Sequence, residues 1–373
     1  MIEHDEFGPE KIIEVYDPKT KMHGFLVIDS TVLGPGKGGI RMTSDFSKEE
    51  DFRLARVMTW KCALAELPFG GAKSGIIANS KKITKQEKKA IIQAFSRALK
   101  PVCPSQYVAA PDMYTGEEEM KWFAEANGSM EACTGKPKEL GGIPHELGST
   151  GFGVFHSTLV AAKHYGLDIK NSTIAIQGFG NVGSFAAKFL SEAGAKIISV
   201  SDSKGCLHVP DGINIEKLLR IKKETGSVIN YSEKAVKSRD MHPSQTFKCS
   251  MIFELPVDIL IPAAIADVIN KNNVDKVDAK IIVEAANIPI PHDIENILYE
   301  KGILIVPDFV ANAGGVISSF VEYINGTPEQ MFKLVEEKIK KNTRLVLEKS
   351  KEEKTNPRRA ALEIAKKRVR KKN

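Results

Sequence analysis

Short apolar runs alternate with helical patterns from about residue 172 onward. The runs read STIAIQG, AKIISVS, VDILIPA, KIIVEAA and GILIVP, and their nearly continuous, β-branched character is typical of parallel strands covered on both faces. Between the first two, NVGSFAAKFLSEAG repeats apolar side chains at helical spacing, and Gly194 marks the helix end. The pattern predicts a βαβ series that forms a doubly wound α/β domain, which we assign to residues 148–326.

The first part of the chain has a different pattern. Strand-like stretches such as KIIEVYD and HGFLVIDS mix with longer helical ones in residues 1–147, which predicts an α+β domain. Residues 327–373 return to a long amphipathic helical pattern. We expect these C-terminal helices to pack back on the first domain, and a cleft between two domains is then the natural ligand site.

Composition and charge narrow the class of protein. The chain has 373 residues, of which 42% are hydrophobic and 27% charged, as in globular proteins large enough for two domains. No apolar run approaches the ~18–20 residues of a membrane span, and the start MIEHDEFGPE is not a signal peptide, so a cytoplasmic protein without a membrane partner is expected.

Five scattered cysteines and the absence of an H-E-x-x-H spacing argue against a bound metal. The basic tail AKKRVRKKN favours a solvated helix end over a nucleic-acid contact, because no aromatic residues interleave it.

The segment GFGNVG follows the predicted strand STIAIQ and begins the helix after it, and Asp202 lies at the end of the next predicted strand. A G-x-G-x-x-G string alone also occurs in simple tight turns, but this context is the one that a Rossmann-type dinucleotide site needs. Glycines admit the pyrophosphate, the helix N-terminus supplies N–H groups, and the carboxylate accepts from ribose hydroxyls. Asp202 favours NAD, whereas Ser203 and Lys204 accommodate a 2′-phosphate, so NAD and NADP both stay open. The predicted cofactor-binding residues of this region are Gly178, Gly180, Asn181, Val182, Gly183 and Asp202.

Three lysines lie in unusual settings: Lys37 in GPGKGGIRM, Lys61 in MTWKCALAEL and Lys73 in LPFGGAKSG. Lys61 falls on the helical stripe that should face the core, where a lysine is costly unless an anion meets it. Each lysine alone fits a surface cation, but three in one short stretch, two of them beside paired glycines, favour an anion-binding site. Clustered cations disfavour one another's charged form, so one lysine is a candidate base with a lowered pKa.

Four polar residues lie at element ends. Asp112 in APDMYTG either caps a turn or delivers a proton at the cleft. Thr150, Asn287 and Asn312 come at the ends of strands or the starts of helices, where a doubly wound sheet binds its ligand. Capping and turn formation are the alternative roles for these three.

The string of motifs resembles the glutamate/leucine/phenylalanine/valine dehydrogenase family, from GPGKGGIRM to RAALEIAKKRV. The resemblance implies NAD(P)-dependent oxidative deamination of an L-amino acid to a 2-oxo acid and ammonia, through an imine. It makes Lys73 the catalytic lysine that activates water, held in a tight glycine loop. Lys61 would then hold the substrate α-carboxylate, and Asp112 would exchange protons with the substrate nitrogen.

The same resemblance implies roles in cofactor binding and assembly. Thr150 would hold the nicotinamide amide, while Asn287 and Asn312 would position the ribose and the backbone. The family also implies a homo-oligomer, with a hexamer favoured.

Two positions decide the substrate in this family. Glutamate members have a lysine and a serine that bind the γ-carboxylate, where leucine and phenylalanine members are apolar; here these positions are Lys37 and Ser319. A second buried cation is unfavourable without a second carboxylate, so L-glutamate is the predicted substrate. A leucine- or valine-type dehydrogenase is the alternative. A non-catalytic nucleotide- or RNA-binding protein on the same scaffold is a more distant one.

Overall fold

The computed structural model describes residues 4–231, 245–247 and 249–371, so the last two residues of the basic tail lie outside the described residues. The chain forms two compact units. The first contains the residues up to Leu147, Val316–Leu334 and the residues from Leu362 onward, and the second contains Gly148–Gly315 and Val335–Ala361. The C-terminal helices are therefore shared between the units, whereas the sequence pattern predicted that all of residues 327–373 pack on the first domain.

The first unit is built on a five-stranded mixed sheet of order β1-β2-β4-β3-β5. The first pair is antiparallel, β2 is antiparallel to β4, and β3 runs parallel to both β4 and β5. The core between sheet and helices includes Leu26, Ile40, Phe95 and Phe123. The strands are β1 (Lys11–Asp17), β2 (Met22–Ser30), β3 (Gly36–Thr43), β4 (Gly70–Ile77) and β5 (Tyr107–Pro111).

Three longer helices accompany this sheet: α1 (Lys48–Leu64), α2 (Lys85–Ala98) and α3 (Glu117–Asn127). The first two start at a residue whose side chain caps the helix. The Ser47 side chain accepts from the Glu50 N–H at the start of α1, and Thr84 and Glu87 form a reciprocal capping box at the start of α2. These caps fix the N-terminal ends of α1, which packs on β4, and of α2, which packs on β1 and β2.

The second unit contains a seven-stranded sheet of order β12-β11-β10-β6-β7-β8-β9. The strands from β12 to β7 are mutually parallel, which confirms the predicted doubly wound α/β fold, and β8 and β9 add an antiparallel edge. Its strands are β6 (Thr173–Gln177), β7 (Lys196–Asp202), β8 (Gly205–His208), β9 (Gln245–Phe247), β10 (Val257–Pro262), β11 (Ala279–Val283) and β12 (Leu304–Val306).

The direction of strand order reverses between β6 and β10, because β7 follows β6 on one side and β10 pairs with it on the other. Ligands of doubly wound sheets bind outside the carboxyl ends of the strands at such a switch point. Helices of this unit are α4 (Ser149–Tyr165), α5 (Asn181–Glu192), α6 (Ile215–Thr225), α7 (His292–Glu300) and α8 (Asp308–Ala311).

The remaining helices are divided between the units: α9 (Gly314–Tyr323), α10 (Pro328–Glu353) and α11 (Pro357–Arg370). The last two replace the one long helical pattern of the sequence, and the break contains Lys354 at a φ of 49°. Within the part of the chain that the structure describes, no helix is long and apolar enough to cross a membrane.

Candidate active site

The predicted lysines Lys37 and Lys73 lie on adjacent parallel strands of the first unit. Lys37 of β3 pairs with Gly71 of β4. Arg41 of β3 pairs with Gly75. Because side chains alternate along a strand, Lys37 and Arg41 share one face of the sheet with Lys73. Lys73 is thus part of a buried strand, and the prediction of a tight glycine loop around it is wrong.

The glycines beside Lys73 are explained by close packing instead. A Cβ on Gly71 would lie 2.1 Å from Thr59 Oγ1, and one on Gly75 would lie 2.0 Å from the Phe46 ring. A Cβ on Gly39 would lie 3.1 Å from Lys73 Nζ. A side chain at Gly71 would push α1 off the sheet, and one at Gly75 would displace the Phe46 ring. A side chain at Gly39 would crowd the Lys73 amine, so close packing accounts for all three glycines.

Lys73 and Asp112 are in direct contact. The Lys73 ammonium donates to Asp112 Oδ2, and its side chain is only 8% exposed. The Asp112 main-chain N–H donates to Thr115 Oγ1 at 2.8 Å, and Thr115 in turn donates to the Ile40 carbonyl at 2.7 Å. The turn after β5 therefore holds the carboxylate over the lysine-bearing face, so a capping role for the Asp112 backbone and an acid–base role for its side chain are compatible.

Arg41 is a third member of this site that the sequence reasoning missed. Its Nε donates to Asp112 Oδ2 at 3.2 Å, and its guanidinium also pairs with Glu50 at 2.5 Å. Burial alone would raise the pKa of Asp112, but the charges of Lys73 and Arg41 outweigh it and lower that pKa to about 2. Asp112 is therefore ionised at neutral pH. The signal was in the string GPGKGGIRM, where Arg41 follows Lys37 at the even spacing of one strand face.

Lys37 lies in a strongly perturbing environment. Its side chain is 1% exposed, and its amine donates to the main-chain carbonyls of Ala109 at 2.6 Å and Val108 at 3.3 Å. Burial lowers the pKa of Lys37 to about 7, although Cys133 and Glu322 favour its charged form. Lys37 thus has a lowered pKa, and its main cause is burial instead of the neighbouring cations that the sequence suggested. Because no carboxylate bonds its amine among the described residues, an incoming anion would favour the ammonium form.

Ser319 and Lys61 occupy the expected elements. Ser319 lies half-buried on α9, one turn before Glu322, whose charge acts on Lys37. Lys61 lies in the last turn of α1 and is 6% exposed, which agrees with its place on the buried stripe. Their contacts with a substrate stay predictions.

A buried ion pair organises α9 and escaped the sequence reasoning. Lys136 Nζ donates to Glu322 Oε1 at 2.7 Å. The same carboxylate accepts from the main-chain N–H groups of Gly135 at 2.9 Å and Ile143 at 3.1 Å. Glu322 thus ties the segment before α4 to the helix that carries Ser319, and a charge of each sign lies near Lys37.

The GFGNVG segment has the geometry of a dinucleotide-binding turn. Gly178 has a φ of 95° and a Cβ there would lie 2.7 Å from Ala264 Cβ, next to the end of β10. A Cβ on Gly183 would lie 1.9 Å from the Gly178 carbonyl oxygen, so glycine is needed for close packing of α5. A Cβ on Gly180 would meet nothing within 4 Å. The first and third glycines therefore shape the turn, and the second leaves an open approach to the start of α5, where Asn181 and Val182 follow.

The Asp202 carboxylate accepts hydrogen bonds from several groups of the protein. It accepts from Lys222 Nζ at 2.8 Å and from the Val228 N–H at 2.8 Å. It also accepts from the Lys204 N–H at 2.9 Å and the Ser227 hydroxyl at 3.2 Å. Two carboxylate oxygens offer about four acceptor positions, so these donors use them. This surrounding differs from the predicted role as an acceptor for ribose hydroxyls.

Asn287 and Asn312 are brought together, and Thr150 lies beside the start of α9. Asn312 Nδ2 donates to Asn287 Oδ1 at 3.0 Å and to the carbonyls of Ala285 and Ala286 at 3.2 Å. Asn312 Oδ1 is buried without a partner among the described residues. A Cβ on Gly315 would lie 2.9 Å from Thr150 Oγ1. The open turn at Gly180 and the unpaired Asn312 Oδ1 suit a dinucleotide. The described residues contain no group of three or more side chains suited to a metal ion.

Two family models match the chain. Residues 141–373 match the glutamate/leucine/phenylalanine/valine dehydrogenase model, and residues 9–128 match the dimerisation domain of the same enzymes. The chain belongs to the glutamate/leucine/phenylalanine/valine dehydrogenase family. The resemblance drawn from the motifs is thereby confirmed.

Individual relatives of this family are glutamate dehydrogenases. The chain is 42% identical over 357 residues to a glutamate dehydrogenase of Aeropyrum pernix, covering 91% of this chain and 83% of the relative. It is 42% identical to an NADP-specific glutamate dehydrogenase of Saccharolobus shibatae over 85% of this chain and 76% of the relative. An NAD-specific glutamate dehydrogenase of Staphylococcus aureus is 36% identical over 93% of this chain and 84% of its own length.

Solved structures agree with this assignment. The hetero-hexameric glutamate dehydrogenase of Thermus thermophilus, in a leucine-bound form, aligns with a TM-score of 0.85 at 26% identity, over 98% of this chain and 89% of that one. The glutamate dehydrogenase of Peptoniphilus asaccharolyticus aligns with a TM-score of 0.82 at 26% identity, over 98% and 91% of the two chains.

Proposed function

We propose that this protein catalyses the reversible, NAD(P)-dependent oxidative deamination of L-glutamate to 2-oxoglutarate and ammonia. The contact of Lys73 with Asp112 on a buried strand face, two residues from the strand partner of Lys37, is the observation that carries this proposal. It brings the amine of Lys73 on β4 against an ionised carboxylate from the turn after β5, and the neighbouring strand β3 carries the second buried amine, that of Lys37. Membership of the family and the names of its glutamate dehydrogenase relatives support it.

The two central side chains divide the proton transfers. Asp112, ionised at neutral pH, accepts a proton from the substrate ammonium, which frees the nitrogen lone pair. A nicotinamide dinucleotide held at the Gly178–Gly183 turn and by Asn287 and Asn312 would supply the acceptor for the hydride of the substrate α-carbon. Lys73, once it has lost its own proton to solvent, accepts a proton from the water that adds to the imino carbon, and the ammonium so formed donates to the new hydroxyl group. Asp112 returns its proton to the nitrogen, and ammonia leaves as the hydroxyl group gives up its proton to solvent and becomes the carbonyl. Arg41 holds the carboxylate in place throughout.

The choice of glutamate over leucine rests on Lys37. Its amine has two main-chain acceptors and no carboxylate partner among the described residues. A γ-carboxylate would supply the missing anion, with Ser319 as a second donor. An aliphatic side chain would instead leave an amine facing apolar groups, which is unfavourable. A leucine- or valine-type activity is the alternative that the substrate assay below separates.

We also propose that NADP is preferred to NAD. The Asp202 carboxylate is occupied by internal donors and neutralised by Lys222, so it neither accepts from ribose hydroxyls nor repels a phosphate. Lys204 is exposed beside it and leaves a second cation at this end of β7. Inhibition by 2′,5′-ADP and by 5′-AMP compares the two cofactor forms directly. A lower Ki for 2′,5′-ADP that rises about tenfold in Lys204→Ala supports the preference, and equal Ki values contradict it.

A homo-oligomer, with a hexamer favoured, is part of the proposal. The match to a dimerisation domain and the hexameric assembly named for the Thermus thermophilus relative support it. Light scattering after gel filtration gives the mass directly. A mass of six 40.9 kDa chains is expected, and a monomer in the active fraction contradicts the proposal.

The activity itself is tested by following cofactor reduction with L-glutamate and assaying 2-oxoglutarate and ammonia as products. The matched control is Lys73→Ala, which keeps the cofactor-binding unit unchanged. Stoichiometric products from the wild type and none from the control are expected. Cofactor binding without turnover of glutamate, leucine, valine or phenylalanine would favour the non-catalytic alternative.

A further inference from the structure

A buried cluster of charges lies beneath the loops that carry Asn287 and Asn312. Arg358, in the first turn of α11, is 12% exposed, and each of its three side-chain nitrogens donates to a different carboxylate. Its NH2 group bonds Glu284 at 2.5 Å, its NH1 group bonds Asp308 at 3.0 Å, and its Nε bonds Glu295. All three carboxylate side chains are fully buried.

The cluster is not balanced as a simple ion pair. Three carboxylates face one guanidinium, and Glu284 Oε1 and Glu295 Oε1 have no hydrogen-bond partner among the described residues. Burial, with the charges of Glu295 and Asp308, raises the pKa of Glu284 well above its usual range, although Arg358 opposes the shift. His292, largely exposed, lies 3.7 Å from Glu295. Burying these charges is costly, and loss of one partner would leave a buried charge without compensation.

A strained turn lies directly on this cluster. Ile288 has a φ of 50°, a left-handed conformation that β-branched residues rarely adopt. Its N–H donates to Asp308 Oδ2 at 2.9 Å, and the other oxygen of that carboxylate accepts from Arg358. Strain of this kind persists only where neighbouring contacts over-determine it, and here the Arg358–Asp308 pair supplies them.

The same carboxylate-bearing residue also carries the second loop. The Asp308 carbonyl accepts from the Asn312 N–H at 2.8 Å, and its N–H donates to Glu284 Oε2 at 2.8 Å. Asn312 then binds Asn287, the neighbour of the strained Ile288. Both predicted cofactor-binding asparagines are therefore fixed through Asp308, and Asp308 is fixed through Arg358.

We propose that Arg358 is a positioning residue for cofactor binding: through Asp308 it locks the strained Asn287–Ile288 turn and so presents Asn287 and Asn312 to the dinucleotide. The proposal rests on the proposed function, since it concerns the same cofactor. Arg358 itself meets no reacting group. Loss of Arg358 should weaken cofactor binding much more than glutamate binding. If Arg358 were needed only for folding, the folded fraction of the variant would keep wild-type affinity for both ligands.

The test uses Arg358→Lys, which keeps the charge but loses the three-way donor geometry. Arg344→Met, an exposed arginine of α10, is the control. The dissociation constant of NADPH is measured by nicotinamide fluorescence, KM for glutamate by steady-state kinetics, and the folded fraction by circular dichroism. We expect the NADPH constant to rise about tenfold in Arg358→Lys and to stay within about twofold in the control, while KM for glutamate changes less than about threefold.

A second variant separates positioning from general damage. Glycine adopts a positive φ without strain, so Ile288→Gly added to Arg358→Lys should restore at least half of the lost affinity on a logarithmic scale. If Arg358→Lys does not fold, Asp308→Asn with and without Ile288→Gly makes the same comparison. Wild-type affinity in the single variant, or a loss that glycine does not relieve, overturns the inference. A wild type that binds neither NADPH nor NADH would instead sink the proposed function.

Discussion

The lowered pKa of Lys37 predicts a pH dependence that belongs to dicarboxylate binding alone. Burial puts the pKa of this amine at about 7 instead of its ordinary 10.5, so the unliganded protein holds Lys37 neutral above pH 7. A γ-carboxylate favours the ammonium form. Binding of a dicarboxylate above pH 7 must therefore take up a proton, and the affinity should fall as pH rises.

The magnitude follows from the size of the shift. Each pH unit above 7 costs about 1.4 kcal/mol for protonating Lys37, which is about tenfold in affinity. Between pH 6 and pH 9 the dissociation constant of a dicarboxylate should therefore rise about a hundredfold. The loss flattens only above the raised pKa that Lys37 has in the complex.

Glutarate is the probe, because it has both carboxylates of glutamate but no amino group. Proton exchange between a substrate amine and Asp112 or Lys73 therefore does not contribute to its pH dependence. Its Ki is measured from pH 6 to pH 9 against butanoate, which has a single carboxylate, in the wild type and in Lys37→Leu. We expect a steep rise for glutarate in the wild type only. A flat glutarate profile, or the same slope in Lys37→Leu, would refute the assignment of Lys37 to the γ-carboxylate.

Three further outcomes are expected. Lys73→Ala and Asp112→Asn should each lower kcat by about 10²–10⁴-fold with little change in NADPH affinity, and a loss of less than about tenfold in stopped-flow turnover would remove either from the mechanism. Lys37→Met should raise Tm more at pH 6 than at pH 9. Folding of the wild type buries a charged amine below pH 7 and a progressively neutral one above it, so the substitution removes a larger cost at low pH. A larger increase in Tm at pH 9 in calorimetry would contradict the burial argument. Gly180→Ala should leave Tm nearly unchanged, since a Cβ there meets nothing within 4 Å. It should raise the cofactor KM about tenfold, because the new methyl group obstructs the pyrophosphate. An unchanged cofactor KM would show that the pyrophosphate does not approach at Gly180.

The second unit was largely predictable because its signals are local. Each parallel strand is an apolar run buried on both faces, and the glycine turn lies between one such strand and its helix. The antiparallel edge of β8 and β9 was not predicted, since short edge strands lack a continuous apolar pattern. The division of α10 and α11 between units depends on packing that periodicity does not encode.

The candidate site was predicted as residue types but not as geometry. Glycine-rich strands carry weak strand propensity, so β3 and β4 read as loops, and only pairing shows Lys37 and Lys73 on one face. Arg41 was missed because its role depends on that alternation. The commitment of Asp202 to Lys222 joins residues far apart in sequence, as does the bond of Arg358 to Asp308, and a single sequence gives no signal for either contact.

The most direct test of the central claim compares kcat/KM for L-glutamate and L-leucine, with NADP, in the wild type and in Lys37→Leu. A wild type that prefers glutamate by at least about 10²-fold, and a variant that loses most of that ratio, is the predicted result, since a site built for a polar group discriminates strongly against its absence. A wild type that prefers leucine, or a variant that keeps the glutamate preference, contradicts the account.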